Sequence, residues 1–155
     1  MMIKITAMSK LFAERVVPIM TKPYAIISIT DPTSDSATFE PNEHFRGVLF
    51  LKLYDIDFSD GNMSHGRHAI LRDYGDGLFK DEQSVQIVDF VEEIKDKVEA
   101  IICHCDAGIS RSSGVAAAIQ KHLTGSDEKI FKDPRYLPNM YVYRKLLNEF
   151  HKRSK

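Results

Sequence analysis

The sequence predicts an α/β fold, a three-layer sandwich around a mainly parallel sheet of about four strands. Three short apolar runs have the composition of buried strands, at residues 24–29, 48–53 and 100–103. Two further stretches, residues 81–98 and 112–123, place apolar side chains at helical spacing or consist of good helix formers. Because strands alternate with helical stretches, helices are expected to cross from one parallel strand to the next.

The chain opens with an expected strand at residues 3–7, followed by a short helix. Ser9 is a residue type that caps helix N-termini, and Pro18 cannot continue a helix. The helix is therefore expected to run through Phe12 and Val16.

Turn residues separate the next two expected strands. Asp31 and Pro32 close the strand at residues 24–29, and the polar residues 33–44 show no periodicity, so they are expected to form a surface loop. The nearly continuous apolar run at residues 48–53 is expected to be a strand buried on both faces of the sheet.

Residues 59–80 are expected to form a long, mobile surface loop, because four glycines and mixed charges interrupt any periodicity. His65 and His68 have the spacing of one helical turn, which suggests a metal, but the sequence places no third ligand. We therefore expect no metal site here. The expected role is a solvated loop in which Arg67 or Arg72 shapes the entrance to a functional site.

Residues 81–98 are expected to form an amphipathic helix that leads directly into the strand at residues 100–103. The apolar residues near helical spacing are Val85, Val88, Phe90, Val91, Ile94 and Val98.

The last part of the chain is a polar linker and a closing helix. In residues 125–138, Phe131 or Tyr136 is expected to pack as a single anchor. Pro138 and Asn139 then open the final helix. The apolar face of that helix consists of Val142, Leu146, Leu147 and Phe150.

Length and charge limit the classes of function. At 155 residues the chain is expected to form one domain, residues 1–155. Its 21 basic and 22 acidic residues nearly cancel, which removes an electrostatic case for nucleic acid or an anionic membrane as a partner. No apolar run is long enough for a signal peptide or a membrane span. A cytoplasmic protein, assumed to be a monomer, is expected.

Chemistry-bearing residues collect in the turn that follows residue 103. Tight-loop N–H groups at a helix N-terminus form a cradle for a phosphate dianion, and Gly108 permits backbone conformations closed to other residues. Arg111 offers a planar fork that holds two phosphate oxygens. Cys105 lies in the same positive field, which favours its nucleophilic thiolate. Ser112 could hydrogen-bond the sulfur and help it leave.

This run resembles the signature loop of the cysteine-dependent protein tyrosine phosphatases, especially their small dual-specificity-like branch. The matching residues are His104, Cys105, Asp106, Ala107, Gly108, Ile109, Ser110, Arg111 and Ser112. The resemblance implies a phosphate-binding loop formed by residues 106–111, with Cys105 as nucleophile and Arg111 as phosphate ligand. The alternative interpretation is a buried structural cysteine beside an ordinary helix start. Residues 136–150 match small bacterial tyrosine phosphatase-like proteins more loosely.

A general acid must come from outside the loop, because the leaving alkoxide or phenoxide needs a proton. Loops gather at the carboxyl ends of parallel strands, so the residues after Leu53 can face the residues after His104. Asp57 is the preferred candidate, and Asp55 is the second. In the resembling family an ungapped reading places the acid at Asp57, whereas Asp55 is closer to the strand end. Both could instead only solvate a turn. Weaker candidates are Asp73, Asp76 and Asp81.

Together these residues predict a phosphatase that works without metal or cofactor and forms a phosphocysteine. Asp106 would repel a second phosphate, which disfavours polyphosphorylated inositol lipids as substrates. Phosphotyrosine, alone or with phosphoserine and phosphothreonine, is therefore the leading substrate class. His104 is expected to position the cysteine backbone or to be a core histidine.

Two other functions stay open. The first is a phosphate-binding interaction module without turnover. The second is another cysteine chemistry, sulfur transfer or arsenate reduction, for which Cys103 is the only further thiol.

Overall fold

The structure, a computed structural model, describes residues 2–57 and 72–154. Its strands are β1 (Lys4–Ser9), β2 (Tyr24–Thr30), β3 (Phe45–Lys52) and β4 (Ala100–Cys105). The helices with defined bounds are α1 (Lys10–Val16), α2 (Asp81–Ile94), α3 (Arg111–Thr124), α4 (Glu128–Phe131) and α5 (Met140–Arg153), with 3₁₀ turns at Val17–Ile19 and Gly75–Gly77.

The four strands form one sheet in the order β1-β4-β2-β3, and every neighbouring pair is parallel. The registers bring Ala7 opposite Cys103 and Ser28 opposite His104. All four carboxyl ends therefore meet at one edge of the sheet, where β4 runs into the loop before α3.

The two faces of the sheet are covered by different helices, as the alternation of side chains along β2 makes clear. Tyr24 and Ile26 pack with Ala13 of α1 on one face. Ile27 and Ile29 belong to the larger core on the other face, to which α2, α3 and α5 contribute. This arrangement of helix, sheet and helix confirms the three-layer α/β fold predicted from the sequence.

The expectation that the third strand is buried on both faces is wrong, because β3 is an edge strand. Within β3 only Leu51 is buried, and Phe50 is 48% exposed. A run of apolar residues does not distinguish a central strand from an edge strand. Here Phe50 stacks on Phe39 at 6.4 Å between ring centroids, which partly covers the edge.

The predicted N-terminal starts of α1 and α5 are confirmed. The Ser9 hydroxyl accepts a hydrogen bond from the amide of Phe12 at 3.1 Å and caps α1. The side chain of Asn139 accepts from the amide of Val142 at 3.0 Å and caps α5. The predicted apolar face of α5 is buried except for Leu147, which is half-buried, and Tyr143 joins it.

The polar linker before α5 contains a short helix, α4, that its sequence did not predict. Tyr136 is the anchor: its ring is buried, and its hydroxyl donates to the carbonyl of Ala7 at 2.7 Å. Phe131 is 38% exposed and contacts Tyr143 edge to face.

Most of the expected surface loop at residues 59–80 lies outside the described residues, including Arg67 and the His65 and His68 pair. Its end does not fit the expectation, since Leu78 and Phe79 are buried in the core.

Candidate active site

The site is built at the end of β4, the strand that enters the middle of the sheet. Cys105 is the last residue of β4, and Arg111 is the first residue of α3, so residues 106–110 form the turn between them. The amide of Lys10 approaches the carbonyl of Asp106 at 3.4 Å and ties the turn to the end of β1. A turn of this kind places its amides and the positive end of a 14-residue helix around one point.

Gly108 is required by the close approach of this turn to β1. Its φ angle is +77°, in the left-handed region that favours glycine. A Cβ atom at this position would lie 2.4 Å from the carbonyl carbon of Met8 and 2.4 Å from the amide nitrogen of Ser9. Both are backbone atoms, so only glycine fits.

The thiol of Cys105 is buried at the bottom of the turn and faces two hydrogen-bonding groups. The amide of Gly108 donates to Sγ at 3.2 Å, and the hydroxyl of Ser112 lies 3.1 Å from Sγ. These two polar contacts distinguish Cys105 from a thiol buried among apolar side chains.

The guanidinium of Arg111 lies under the turn and is almost fully buried. Its Nη1 donates to Asp31 Oδ1 at 2.6 Å and to the carbonyl of Leu53 at 2.7 Å. Its Nη2 approaches Asp106 Oδ2 at 3.4 Å. The arginine is thus oriented by the carboxyl ends of β2 and β3 as well as by its own turn.

His104 has partners on both ring nitrogens. Nδ1 lies 3.4 Å from the carbonyl of Cys105, and Nε2 lies 2.6 Å from the hydroxyl of Ser28. Because a carbonyl can only accept, Nδ1 carries the proton and Nε2 accepts from Ser28. Burial lowers the pKa of His104, which agrees with a neutral ring that contacts the backbone of Cys105.

The two candidate acids have different surroundings. Asp55 Oδ1 accepts from the hydroxyl of Ser110, in the turn, at 2.8 Å and from the side-chain amide of Asn139 at 2.8 Å. Asp57 accepts from the amide of Met140 at 2.8 Å and from the amide of Tyr141 at 3.1 Å, the first two residues of α5. Asp55 therefore contacts Ser110 of the turn between β4 and α3, whereas Asp57 accepts from the first amides of α5.

The other predicted phosphate-loop residues differ in exposure. Ala107 and Ile109 are exposed, while Asp106 and Ser110 are half-buried. Ser113, buried at the start of α3, donates to the carbonyl of Ile109 at 2.6 Å and fixes the end of the turn.

Sequence reasoning missed three residues of this site. The sequence predicts Asp31 as a turn residue and Asn139 only as a helix start, and it gives no functional signal at Ser28. Asp31 could have been found, because it directly follows β2 at the edge where the functional loops gather. The contacts of Asn139 and Ser28 join residues far apart in the chain, which no local pattern reveals.

Cys103 is a core residue. Its side chain is fully buried, and burial raises the pKa of its thiol. Within the described parts of the chain, no cluster of three or more His, Cys, Asp or Glu side chains has an arrangement that could hold a metal ion. Arg72 is exposed and pairs with its neighbour Asp73.

Known proteins share the architecture of this chain. No protein-family model matches it, and no curated protein matches it in sequence. Among solved structures it is similar to DUSP15, with a TM-score of 0.57 and 14% identity over 97% of this chain and 85% of that one. It is similar to the human tyrosine phosphatase-like serine/threonine/tyrosine-interacting protein, with a TM-score of 0.53 and 16% identity over 86% and 80%.

A third similar structure is that of PTPMT1 in complex with PI(5)P, with a TM-score of 0.52 and 18% identity over 97% of this chain and 91% of that one. The chain therefore has the fold of the small dual-specificity phosphatases. The predicted resemblance to that branch of the cysteine-dependent phosphatases is confirmed at the level of the fold.

Proposed function

We propose that this protein is a cysteine-dependent phosphatase that hydrolyses phosphomonoesters, with protein phosphotyrosine as the leading substrate class. The observation that carries the proposal is the contact set of Cys105. Its sulfur lies within 3.2 Å of the amide of Gly108 and the hydroxyl of Ser112. The buried guanidinium of Arg111 directly follows the same turn. A nucleophile, anion-binding amides and a planar cation in one turn are the requirements of phosphoryl transfer through a thiolate.

The first step breaks the P–O bond of the ester and forms a P–S bond. Cys105 attacks phosphorus in line with the leaving oxygen, while the turn amides and Arg111 bind the three equatorial oxygens. A carboxylic acid gives its proton to the leaving oxygen. In the second step a water attacks phosphorus, the carboxylate takes its proton, and the P–S bond breaks. Ser112 donates to the sulfur as it leaves.

We propose Asp55 as the acid in place of Asp57. The contact of Asp55 with Ser110 supports this choice, since it holds the carboxyl group against the phosphate loop. Asp57 uses both carboxylate oxygens at the start of α5, which supports a role in stability.

The charges near Arg111 support monophosphate substrates. Asp31 and Asp106 both contact the guanidinium, so a second phosphate group beside the first would meet carboxylates. We therefore propose phosphotyrosine, with or without phosphoserine and phosphothreonine, ahead of polyphosphorylated lipids.

The test compares two substrates whose leaving groups differ in their need for a proton, para-nitrophenyl phosphate and phenyl phosphate, across pH with EDTA present. Cys105→Ser is expected to abolish turnover. Asp55→Asn is expected to lose about 10²-fold to 10⁴-fold in kcat/KM on phenyl phosphate, and much less on para-nitrophenyl phosphate, whose phenoxide leaves unaided.

Asp57→Asn is the matched control, because it removes one carboxylate two residues away, and it is expected to affect both substrates equally. If Asp57→Asn instead carries the leaving-group dependence, the acid is Asp57. If Cys105→Ser retains full activity, the proposed mechanism is wrong.

The second candidate function is a phosphate-binding module without turnover. The neutralisation of Arg111 by two carboxylates favours it, and a tyrosine phosphatase-like interacting protein shares the fold. It would be supported by a wild type that binds phosphate but does not hydrolyse either ester. Arsenate reduction is disfavoured, because the buried Cys103 thiol is inaccessible as a second reactant.

A further inference from the structure

Arg111 is held along one edge of its guanidinium. Nη1 donates both to Asp31, at the end of β2, and to the carbonyl of Leu53, just after β3. These partners come from two different strand ends and leave Nη1 no freedom to rotate. The side chain of Asp31 is 37% exposed, whereas that of Arg111 is 7% exposed, so a half-exposed carboxylate contacts a buried guanidinium.

The opposite edge of the guanidinium has few hydrogen-bond partners among the described residues. Nε is inaccessible to solvent and has no hydrogen-bond partner among the described residues. Nη2 has one long contact of 3.4 Å, to Asp106 in the phosphate loop. Nε and Nη2 form one edge of the fork, and the contact with Asp106 shows that this edge faces the loop. A buried donor without a partner is costly unless a ligand satisfies it.

Two opposing effects of Asp31 follow from this geometry. Its negative charge lies 2.6 Å from Nη1 and weakens the attraction of Arg111 for any dianion. Its hydrogen bond, however, fixes the plane of the fork. A fixed fork matters most for the transition state, in which the phosphoryl group is trigonal and lies in line between the attacking sulfur and the leaving oxygen. Only interactions that are stronger in the transition state than in the ground state raise kcat.

We propose that Asp31 is a positioning residue that weakens ground-state binding of the dianion and aligns the Nε and Nη2 edge of Arg111 with the equatorial oxygens of the transition state. The proposal rests on the proposed phosphatase function and names a residue that acts through Arg111. In this proposal Asp31 acts on the phosphoryl group only through Arg111.

The test measures both kinetics and binding on Asp31→Ala and Asp31→Asn. Calorimetry gives the affinity for sulfate, a tetrahedral dianion, and for orthovanadate, which forms a trigonal-bipyramidal adduct with the cysteine. Asp31→Ala is expected to lower kcat and the orthovanadate affinity by about 10-fold to 100-fold. Its sulfate affinity is expected to stay the same or rise, because a repelling charge is gone.

Asp31→Asn is expected to fall between wild type and Asp31→Ala in kcat, since its amide oxygen still accepts from Nη1. Asp35→Ala is the matched control: it removes an exposed carboxylate from the same loop and is expected to leave all values unchanged. Thermal unfolding of each variant separates positioning from a loss of folded protein.

The proposal is overturned if Asp31→Ala retains wild-type kcat and orthovanadate affinity. It is also overturned if the affinities for sulfate and orthovanadate fall in parallel, because that result indicates a general collapse of the pocket. A wild type that hydrolyses no ester would contradict the phosphatase function separately, and the ratio of orthovanadate to sulfate affinity would still decide the role of Asp31.

Discussion

At the scale of single residues, the proposed chemistry depends on atoms that only one residue type can supply. Gly108 allows the phosphate loop to touch the backbone of Met8 and Ser9. Arg111 supplies a fork in which Nη1 binds Asp31 and the carbonyl of Leu53, while Nε has no partner among the described residues. Neither property can be kept by a conservative replacement.

Gly108→Ala is expected to lower the free energy of unfolding by at least about 2 kcal/mol and to reduce activity more than 10-fold, since a Cβ atom would displace the loop from β1. Urea unfolding and phenyl phosphate hydrolysis measure the two effects.

Gly125→Ala is the matched control. Gly125 also has a positive φ angle, +85°, but a Cβ there would meet no atom within 4 Å. It should cost about 1 kcal/mol from backbone strain and leave activity unchanged. Equal effects of the two substitutions would contradict the close-approach argument.

At the scale of elements, the site depends on the joint between α5 and the phosphate loop. Gly114 of α3 lets the backbone of Asn139 approach so closely that a Cβ would lie 2.7 Å from the Asn139 carbonyl oxygen. The amide of Asn139 donates to the carbonyl of Ser110 at 3.0 Å. The start of α5 thereby holds both the phosphate loop and Asp55, the proposed acid, in place.

The sequence predicts some of these elements and not others, for physical reasons. Strands β2 and β4 and helix α5 were predictable, because apolar periodicity and capping residues are local signals. The edge position of β3 was not, since it depends on which strand pairs with which. The same distinction applies to the site. The turn from Cys105 to Arg111 is contiguous in the chain, so the sequence predicts it, whereas Asp31 contacts Arg111 from 80 residues away and no local pattern shows this.

At the scale of the whole molecule, one buried histidine links folding stability to pH. The pKa of His104 in the folded protein is depressed by burial below the ordinary value of about 6.5. The unfolded chain therefore binds more protons below that pH. The stability contributed by the neutral ring is fully present above about pH 6.5 and is lost as the pH falls toward the folded-state pKa.

The free energy of unfolding of the wild type is accordingly expected to fall as the pH drops below about 6.5, by up to about 1.4 kcal/mol per pH unit. His104→Asn is expected to flatten this slope, and the exposed His151→Asn, as control, to retain it. Urea unfolding at several pH values measures the slopes. An unchanged slope in His104→Asn would show that another group is responsible.

The central claim, that Cys105 forms a covalent bond to phosphorus, is tested most directly by trapping. Wild type and Cys105→Ser are mixed with an excess of ³²P-labelled phosphotyrosine peptide, denatured within milliseconds in detergent at neutral pH, and digested. The account predicts label on the peptide that contains Cys105 in the wild type, and none in Cys105→Ser. Turnover without labelled Cys105 peptide, or equal labelling of Cys105→Ser, would contradict it.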